Sequence, residues 1–384
     1  MDFELNEDQR AFADTAQQFS LERLAPMAAE WDEKQIFPKD VLREAGELGF
    51  LSLYTPEAHG GLGLSRLDTS IVFEQLSMGC TSTTAFMTIH NMVSWMVASF
   101  ATEDVRAKYC PKLVTGEWLG SYCLTEPNAG SDAASLTTTA SKKGDTYVLN
   151  GGKAFISGAG ETDVLVVMAR TGEAGAKGVS AFVVPAQADG ISYGRKEPKM
   201  GWNSQPTRAV TFENVVIPAS HLLGEEGQGF IFAMKGLDGG RINIAICSVG
   251  TAQQALNQAT QYMLERKQFG KSLAQFQALQ FKLADMATEL VAARQLVRYA
   301  ASKLDRGDPD ATTYCAMAKR FATDIGFQIC DQALQIYGGY GYIKEYPMER
   351  YFRDVRVHQI LEGTNEIMRL IIARRLLSET SALL

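Results

Sequence analysis

The stretch DVLVVMARTGEAGAKGVSAFVVP, residues 163–185, decides the fold. Two runs thick with β-branched residues, DVLVVMA (163–169) and SAFVVP (180–185), flank a connection that carries three glycines. Each run has the length of a strand, and neither shows the three-to-four spacing of a helix face. TYVL (146–149) and AVTFENVVIP (209–218) repeat the pattern, with Gly, Asn, Asp and Pro at short intervals between them. Residues 119–228 therefore read as a central β domain, an antiparallel barrel or sandwich. No GxGxxG turn sits between a strand and a helix, which argues against a Rossmann domain.

Outward from this centre the period changes. In residues 1–118, Asn6 followed by Gln9 resembles a capping box, and Phe12, Ala16 and Phe19 then share a helical face. Pro26 should end or kink that helix. A second helix is expected after Pro38, with Val41, Ala45 and Leu48 on one side and a stop at Gly49. The run from Thr84 to Phe100 is apolar on nearly every face, as in a central buried helix. Beyond Gly229, Leu273, Phe276, Leu283, Met286, Leu290 and Val297 recur at steps of three, four or seven. Residues 229–384 thus predict a bundle of long helices, with a face left over for another subunit. The expected fold class is α+β: helical domain, β domain, helical bundle.

Composition bounds the function. The chain has 384 residues, 46% hydrophobic and 21% charged, enough for a large core and unlike a disordered, collagen-like or coiled-coil chain. The net charge of −7 argues against nucleic acid and anionic membrane surfaces as partners. No stretch approaches the ~20 apolar residues of a membrane span. The six cysteines form no CxxC pair and the four histidines lie far apart, so no metal site is expected and the thiols should be reduced. The N-terminus, MDFELNEDQR, shows neither an apolar signal core nor an arginine-rich presequence. A cytoplasmic protein is expected, or a matrix one if a mitochondrial presequence has been removed. Residues 236–384 carry 18 basic and 15 acidic side chains, so the net negative charge belongs to the rest of the chain.

Five segments could carry chemistry. YCLTEPNAGSD (122–132) runs into a turn whose amides and hydroxyls could bind a flavin edge or a phosphate, or merely enter the domain. FISGAGE (155–161) places an aromatic ring and a hydroxyl at alternate strand positions, a face for a planar cofactor or for the core. RKQFG (266–270) ends one long helix before another; Arg266 could clamp a pyrophosphate or complement the helix dipole. QIYGGYGYIKEY (335–346) offers glycines for close ligand approach or for a tight turn. In RVHQILEGTNEIMR (356–369), Glu362 sits between apolar residues and Gly363, where restricted solvation should raise its pKa toward working pH. Spacing leaves it one candidate among 44 acidic residues. His90 reads as a core histidine, His358 as ordering the Glu362 loop, Trp202 as domain packing and Cys123 as an inert buried thiol.

Together, in this order on a helix, β, helix chain, the five segments resemble the acyl-CoA dehydrogenases over essentially the whole length. The wording of GCTSTTA (79–85), IHNM (89–92), GSDAASL (130–136), GWNSQPTRAV (201–210), GGRINIA (239–245) and HQILEGTNE (358–366) resembles the branch acting on isobutyryl-CoA in valine degradation. The resemblance implies a homotetramer with a C-terminal four-helix bundle, FAD between the β domain and the bundle, and an electron-transfer flavoprotein as acceptor. Tyr122, Leu124, Thr125, Gly130 and Ser131, with Phe155, Ile156 and Ser157, would contact the flavin ring. Across a subunit boundary, Arg266, Phe269, Phe276, Gln277, Gln335, Gly338 and Gly339 would bind the adenine dinucleotide, with Thr364 and Glu366 as further cofactor neighbours. Ser131, Asp238, Arg241, Gly363 and Arg374 would hold the acyl-CoA. Glu362 matches the family's base, which would take the α-proton while the β-hydride passes to flavin N5. Some relatives carry the base just before the arginine matching Arg241, but Gly240 stands there. A short straight-chain or 2-methylbutyryl substrate, or a non-catalytic flavin-binding relative, are the alternatives.

Overall fold

A computed structural model describes residues 4–378. The first helical layer comprises α1 (Glu7–Phe19), α2 (Ala28–Lys34), α3 (Lys39–Glu47), α4 (Arg66–Gly79), α5 (Thr81–Phe100) and α6 (Glu103–Val114). Asn6 and Gln9 form the expected capping box, each side chain accepting from the other residue's backbone N–H. A wider helical turn carries the chain from α1 to Leu24 before it breaks ahead of α2, a short helix the sequence reading did not separate. The buried side of α3 is Leu42, Ala45 and Gly46, whereas Leu48, expected inside, is 47% exposed. Gly46 sets that rotation, because a Cβ there would lie 2.3 Å from the Thr115 carbonyl oxygen. The α5 helix is enclosed by α4, α6 and later elements, as its all-round apolar surface requires.

The strands are β1 (Gly120–Cys123), β2 (Thr139–Lys143), β3 (Thr146–Ser157), β4 (Val164–Arg170), β5 (Val179–Pro185), β6 (Ile191–Tyr193), β7 (Thr207–Pro218) and β8 (Leu222–Leu223). They form one sheet in the order β6-β7-β3-β2-β4-β5-β8, with β1 beside β4. The continuous apolar run of β4 has a direct cause. Val164, Val166 and Met168 face a cluster shared with Met92, Val93 and Met96 of α5, while Leu165, Val167 and Ala169 face a second cluster with Tyr147, Phe182 and Phe212. Both faces are covered, so neither needs polar residues. The sheet is not wholly antiparallel as expected: β1 and one end of β2 pair with β4 in parallel. β1 is delivered from the α6 side of the helical layer, not by a hairpin, and therefore need not reverse direction.

The last layer holds α7 (Gly229–Glu265), α8 (Gln277–Arg306), α9 (Ala311–Tyr337), α10 (Gly339–Tyr342), α11 (Met348–Arg356) and α12 (Asn365–Ser378). The long helices α7, α8 and α9 pack on one another, and α7 and α8 also pack on α4, so one core cluster runs through both helical layers. Met286, Leu290 and Val297 are buried on the expected stripe, but Leu273 and Phe276 precede α8. A small hairpin, β9 (Lys267–Gln268) with β10 (Lys271–Ser272), occupies the α7–α8 connection and turns at Phe269 and Gly270, both left-handed. No helix among the described residues is long and apolar enough to cross a membrane, and no group of His, Cys, Asp or Glu among them could hold a metal ion.

Candidate active site

Glu362 lies in the connection between α11 and α12 and is itself left-handed at φ 56°, followed by Gly363 at φ 88°. Glycine tolerates that region; glutamate does so at a cost of roughly 1–3 kcal/mol, which surrounding contacts must offset. Those contacts are specific. Lys319 of α9, wholly buried, donates to the Gly363 carbonyl at 2.8 Å and to Asn365 Oδ1 at 2.9 Å. His358 holds the preceding turn, with Nδ1 2.7 Å from Ser248 Oγ and Nε2 accepting from Trp202 Nε1 at 3.2 Å. Burial drives the His358 pKa down to about 3, so it is a neutral strut.

The Glu362 carboxyl lies against α7. A Cβ on Gly240 would be 2.4 Å from Oε2, so only glycine leaves the carboxyl its place. Oε2 is shielded from solvent and has no hydrogen-bond partner, and the Glu362 backbone N–H donates to nothing among the described residues. Burial raises the carboxyl pKa to about 7, against the opposing pull of the Arg241 and Lys319 charges. One α7 turn on, Asn243 is buried with both amide atoms unpaired, and the Tyr54 hydroxyl is likewise buried and unpaired. The Arg66 guanidinium lies 3.4 Å above the Tyr54 ring. Orphaned polar groups clustered around a desolvated carboxylate are the signature of a binding site awaiting its ligand.

Beside them, Arg241 pairs with Asp238 at 2.6 Å, and Thr312 Oγ1 donates to the other Asp238 oxygen at 2.7 Å. The structure thus brings Glu362, Gly363, Arg241 and Asp238 together. Ser131 is exposed on its turn and Arg374 on α12, and neither bonds to that group among the described residues.

The turn after β1 is locked from beneath. Glu126 and Lys153 form a buried ion pair at 2.7 Å, and Lys153 also donates to the Leu124 carbonyl at 3.1 Å. Burial alone would raise the Glu126 pKa; the Lys153 charge and hydrogen bonds from Thr137 and Thr138 reverse that and hold it at about 2. The Thr125 carbonyl accepts from Ala154 N at 2.9 Å, tying the turn to β3. There β3 bulges against β7 between Lys153 and Ile156, and Phe155 is left-handed and 71% exposed. Ile156 is buried, Ser157 half-buried, and the Tyr122 hydroxyl is buried without a partner. An outward aromatic ring on β3 and an unpaired buried hydroxyl on β1 fit a planar cofactor with a polar edge.

A second cluster lies around the α7–α8 hairpin and the end of α9. Arg266, Leu273, Tyr262, Tyr337, Gly338 and Gly339 line a cleft of about 420 Å³, with Tyr262 and Tyr337 stacked at 4.0 Å. Phe269 at the hairpin tip is 93% exposed and meets Phe276 edge-on at 6.3 Å, while Gln277 and Gln335 stand exposed at their helix ends. Thr364 caps α12 by accepting from Ile367 N at 3.3 Å, and Glu366 is exposed in its first turn. Among the described residues, this cleft shares no hydrogen bond or ring contact with the Glu362 loop. Sequence reasoning missed Lys319, Lys153, Tyr54, Arg66 and Asn243. A lone lysine on the apolar α9 stripe between Cys315, Ala318, Ala322 and Ile325 was the one visible signal.

Family models described as the N-terminal, middle and C-terminal domains of acyl-CoA dehydrogenase match residues 6–117, 121–215 and 227–377. The chain belongs to the acyl-CoA dehydrogenase family. It is 55% identical over 375 residues to a Bos taurus protein named isobutyryl-CoA dehydrogenase, mitochondrial, covering 98% of this chain and 90% of that one. A Dictyostelium discoideum protein of the same name is 54% identical over 373 residues, 97% of this chain and 90% of the other. The solved butyryl-CoA dehydrogenase of Megasphaera elsdenii superposes with a TM-score of 0.95 at 40% identity, over 98% of this chain and 100% of that one. This acyl-CoA dehydrogenase is accordingly a FAD-dependent oxidoreductase, and its exposed Phe155 and unpaired Tyr122 hydroxyl fit that cofactor.

Proposed function

We propose that the enzyme α,β-desaturates a short branched-chain acyl-CoA, isobutyryl-CoA to methacrylyl-CoA in valine degradation, with Glu362 as the base. The observation that carries the chemistry is the Glu362 carboxyl: desolvated, unpartnered at Oε2, with its pKa raised to about 7, and set where only Gly240 leaves room. A thioester α-proton is weakly acidic, so its removal needs a base of raised pKa and a donor to the carbonyl oxygen. Glu362 takes the proton on Oε2, and its own free backbone N–H donates to the thioester carbonyl. Bound FAD supplies the acceptor for the β-hydride. Tyr122, Leu124, Thr125, Gly130, Ser131, Phe155, Ile156 and Ser157 hold its ring. Arg241, braced by Asp238, fixes the substrate beside the loop, with Ser131, Gly363 and Arg374 completing the acyl-CoA site. Identity to two relatives named for isobutyryl-CoA supports the substrate.

The hairpin cleft, with Arg266, Phe269, Phe276, Gln277, Gln335, Gly338 and Gly339, serves the dinucleotide of a neighbouring subunit in a homotetramer. Thr364 and Glu366 border the cofactor. Electrons leave to an electron-transfer flavoprotein, in the cytoplasm or in a mitochondrial matrix; two relatives are named mitochondrial.

The test is anaerobic reduction of the holoenzyme by isobutyryl-, 2-methylbutyryl- and butyryl-CoA. One methylene is worth only ~1–3 kcal/mol, so all three should bleach the flavin, with kcat/KM highest for isobutyryl-CoA. A clear preference for butyryl-CoA overturns the substrate assignment.

A further inference from the structure

Lys319 is a cation in the wrong place for stability. It is fully buried, forms no ion pair among the described residues, and spends its hydrogen bonds on two neutral acceptors, the Gly363 carbonyl and Asn365 Oδ1. Taking an unpaired ammonium out of water is costly, and a methionine would fill the same volume without that cost. Both acceptors belong to the segment that carries Glu362. Neighbouring carboxylates have other partners. Asp324, five residues along α9, receives Asn365 Nδ2 at 2.7 Å, Gln359 Nε2 at 2.8 Å and Arg369 at 3.2 Å, with Arg320 at 3.7 Å. Glu366 points outward from α12. Arg241 approaches from α7, but its Nη1 is held by Asp238 and its Nε reaches only the Glu362 carbonyl, at 3.4 Å. Unlike Arg241, the Lys319 ammonium has no carboxylate partner of its own.

We propose that Lys319 is a positioning residue for the base: its ammonium, 2.8 Å from the Gly363 carbonyl, clamps the left-handed Glu362–Gly363 turn and brings a charge to the residue next to the base. This rests on Glu362 being the base. The clamp explains how a glutamate stays at φ 56° in a surface-facing connection, since the carbonyl just beyond it is fixed to the rigid α9. The charge acts the same way in physical terms: burial raises the Glu362 pKa, and the Lys319 and Arg241 charges oppose that rise, keeping an ionised fraction near neutral pH. The reciprocal influence is present, for burial lowers the Lys319 pKa to about 7 while Glu362 pulls it upward.

The experiment separates charge from clamp in FAD-loaded enzyme. Lys319→Gln keeps a donor and removes the charge; Lys319→Met removes both; Asn365→Ser loosens one anchor and keeps the charge. Under anaerobic isobutyryl-CoA, the apparent pKa for flavin bleaching should rise by about one pH unit in both Lys319 variants and stay put in Asn365→Ser. Hydrogen exchange of the 359–366 amides, read without substrate, should quicken in Lys319→Met and in Asn365→Ser. A Lys319→Gln pH profile superimposable on wild type overturns the charge half, and unchanged loop exchange in Asn365→Ser overturns the clamp. Should Lys319→Met lose its flavin, the Gln and Ser variants still decide both halves. Glu362→Gln is the control for the premise: if it bleaches normally, the base assignment falls whatever Lys319 does, and if it is inert while the Lys319 profiles are unmoved, only the present proposal falls.

Discussion

Replacing Glu362 by glutamine should make the protein inactive and, above neutral pH, more stable. The carboxyl pKa goes from an ordinary 4.5 to about 7 on folding, chiefly because burial penalises the charge. A group whose folded pKa is raised contributes stability in full below its unfolded pKa and loses it as the pH climbs through the folded value. At about 1.4 kcal/mol per pH step between those two values, wild type forfeits about 3 kcal/mol between pH 4.5 and pH 8. Glutamine does not titrate, so it forfeits nothing. The amide brings its own unpaired donor, an offset independent of pH, and the slope is therefore the quantity to read. Urea unfolding of both holoproteins at fixed FAD, from pH 5 to pH 8, should show the variant gaining on wild type by about 2.5 kcal/mol, most of it between pH 5 and 7. A gap that stays constant, or widens toward acid, would refute the claim that this carboxylate is desolvated in the folded chain. The same variant should bleach roughly 10²–10⁴-fold more slowly with isobutyryl-CoA, the usual contribution of a positioned base.

Two further outcomes follow from the packing beneath the site. Glu126→Gln leaves the Lys153 ammonium buried and uncompensated, a loss of about 3–5 kcal/mol; the unfolding midpoint should fall and flavin should be lost on gel filtration, whereas Lys153→Met with Glu126→Gln should recover much of the stability. Gly240→Ala puts a methyl carbon 2.4 Å from Glu362 Oε2, and displacing the carboxyl by even 1 Å should slow bleaching about 10²-fold with little change in unfolding midpoint, measured by stopped flow and urea titration.

The parts of the molecule that were legible in the sequence are those whose cause is local. The β4 and β5 runs read as strands because both faces are covered, and α5 read as buried because its apolar surface goes all the way round. The upward direction of the Glu362 pKa was visible in its flanks, Ile360, Leu361 and Gly363. What stayed hidden depends on distant partners. Lys319 meets Gly363 across 44 residues, Tyr54 and Asn243 come from different helical layers, and Lys153 finds Glu126 across 27. Tertiary structure also overrode a local pattern where the docking of Gly46 on Thr115 rotates α3 so that Leu48 is left in solvent.

Six non-glycine residues among those described are left-handed, and three of them, Phe155, Phe269 and Glu362, lie at the proposed cofactor and base positions. Two of these present exposed aromatic rings, which is costly for a chain that ends at its own surface and sensible for one that shares a site with a neighbour. Among the described residues the hairpin cleft and the Glu362 loop share no hydrogen bond or ring contact, and the proposed tetramer brings them to one FAD from two subunits. Co-expression tests this directly. Glu362→Gln subunits keep the cleft and lose the base; subunits with Arg266→Ala and Phe269→Glu keep the base and lose the cleft. Each alone should be inactive. In a symmetric pair each site takes the base from one chain and the cleft from the other, so random mixing should restore about a quarter of the sites, seen as bleaching of the mixed preparation by isobutyryl-CoA. If both halves of the site came from a single chain, every chain in the mixture would carry one broken half and no activity could return; an inert mixture of correctly assembled oligomers would therefore place the whole FAD site within one subunit and remove the cross-subunit role from Arg266 and Phe269.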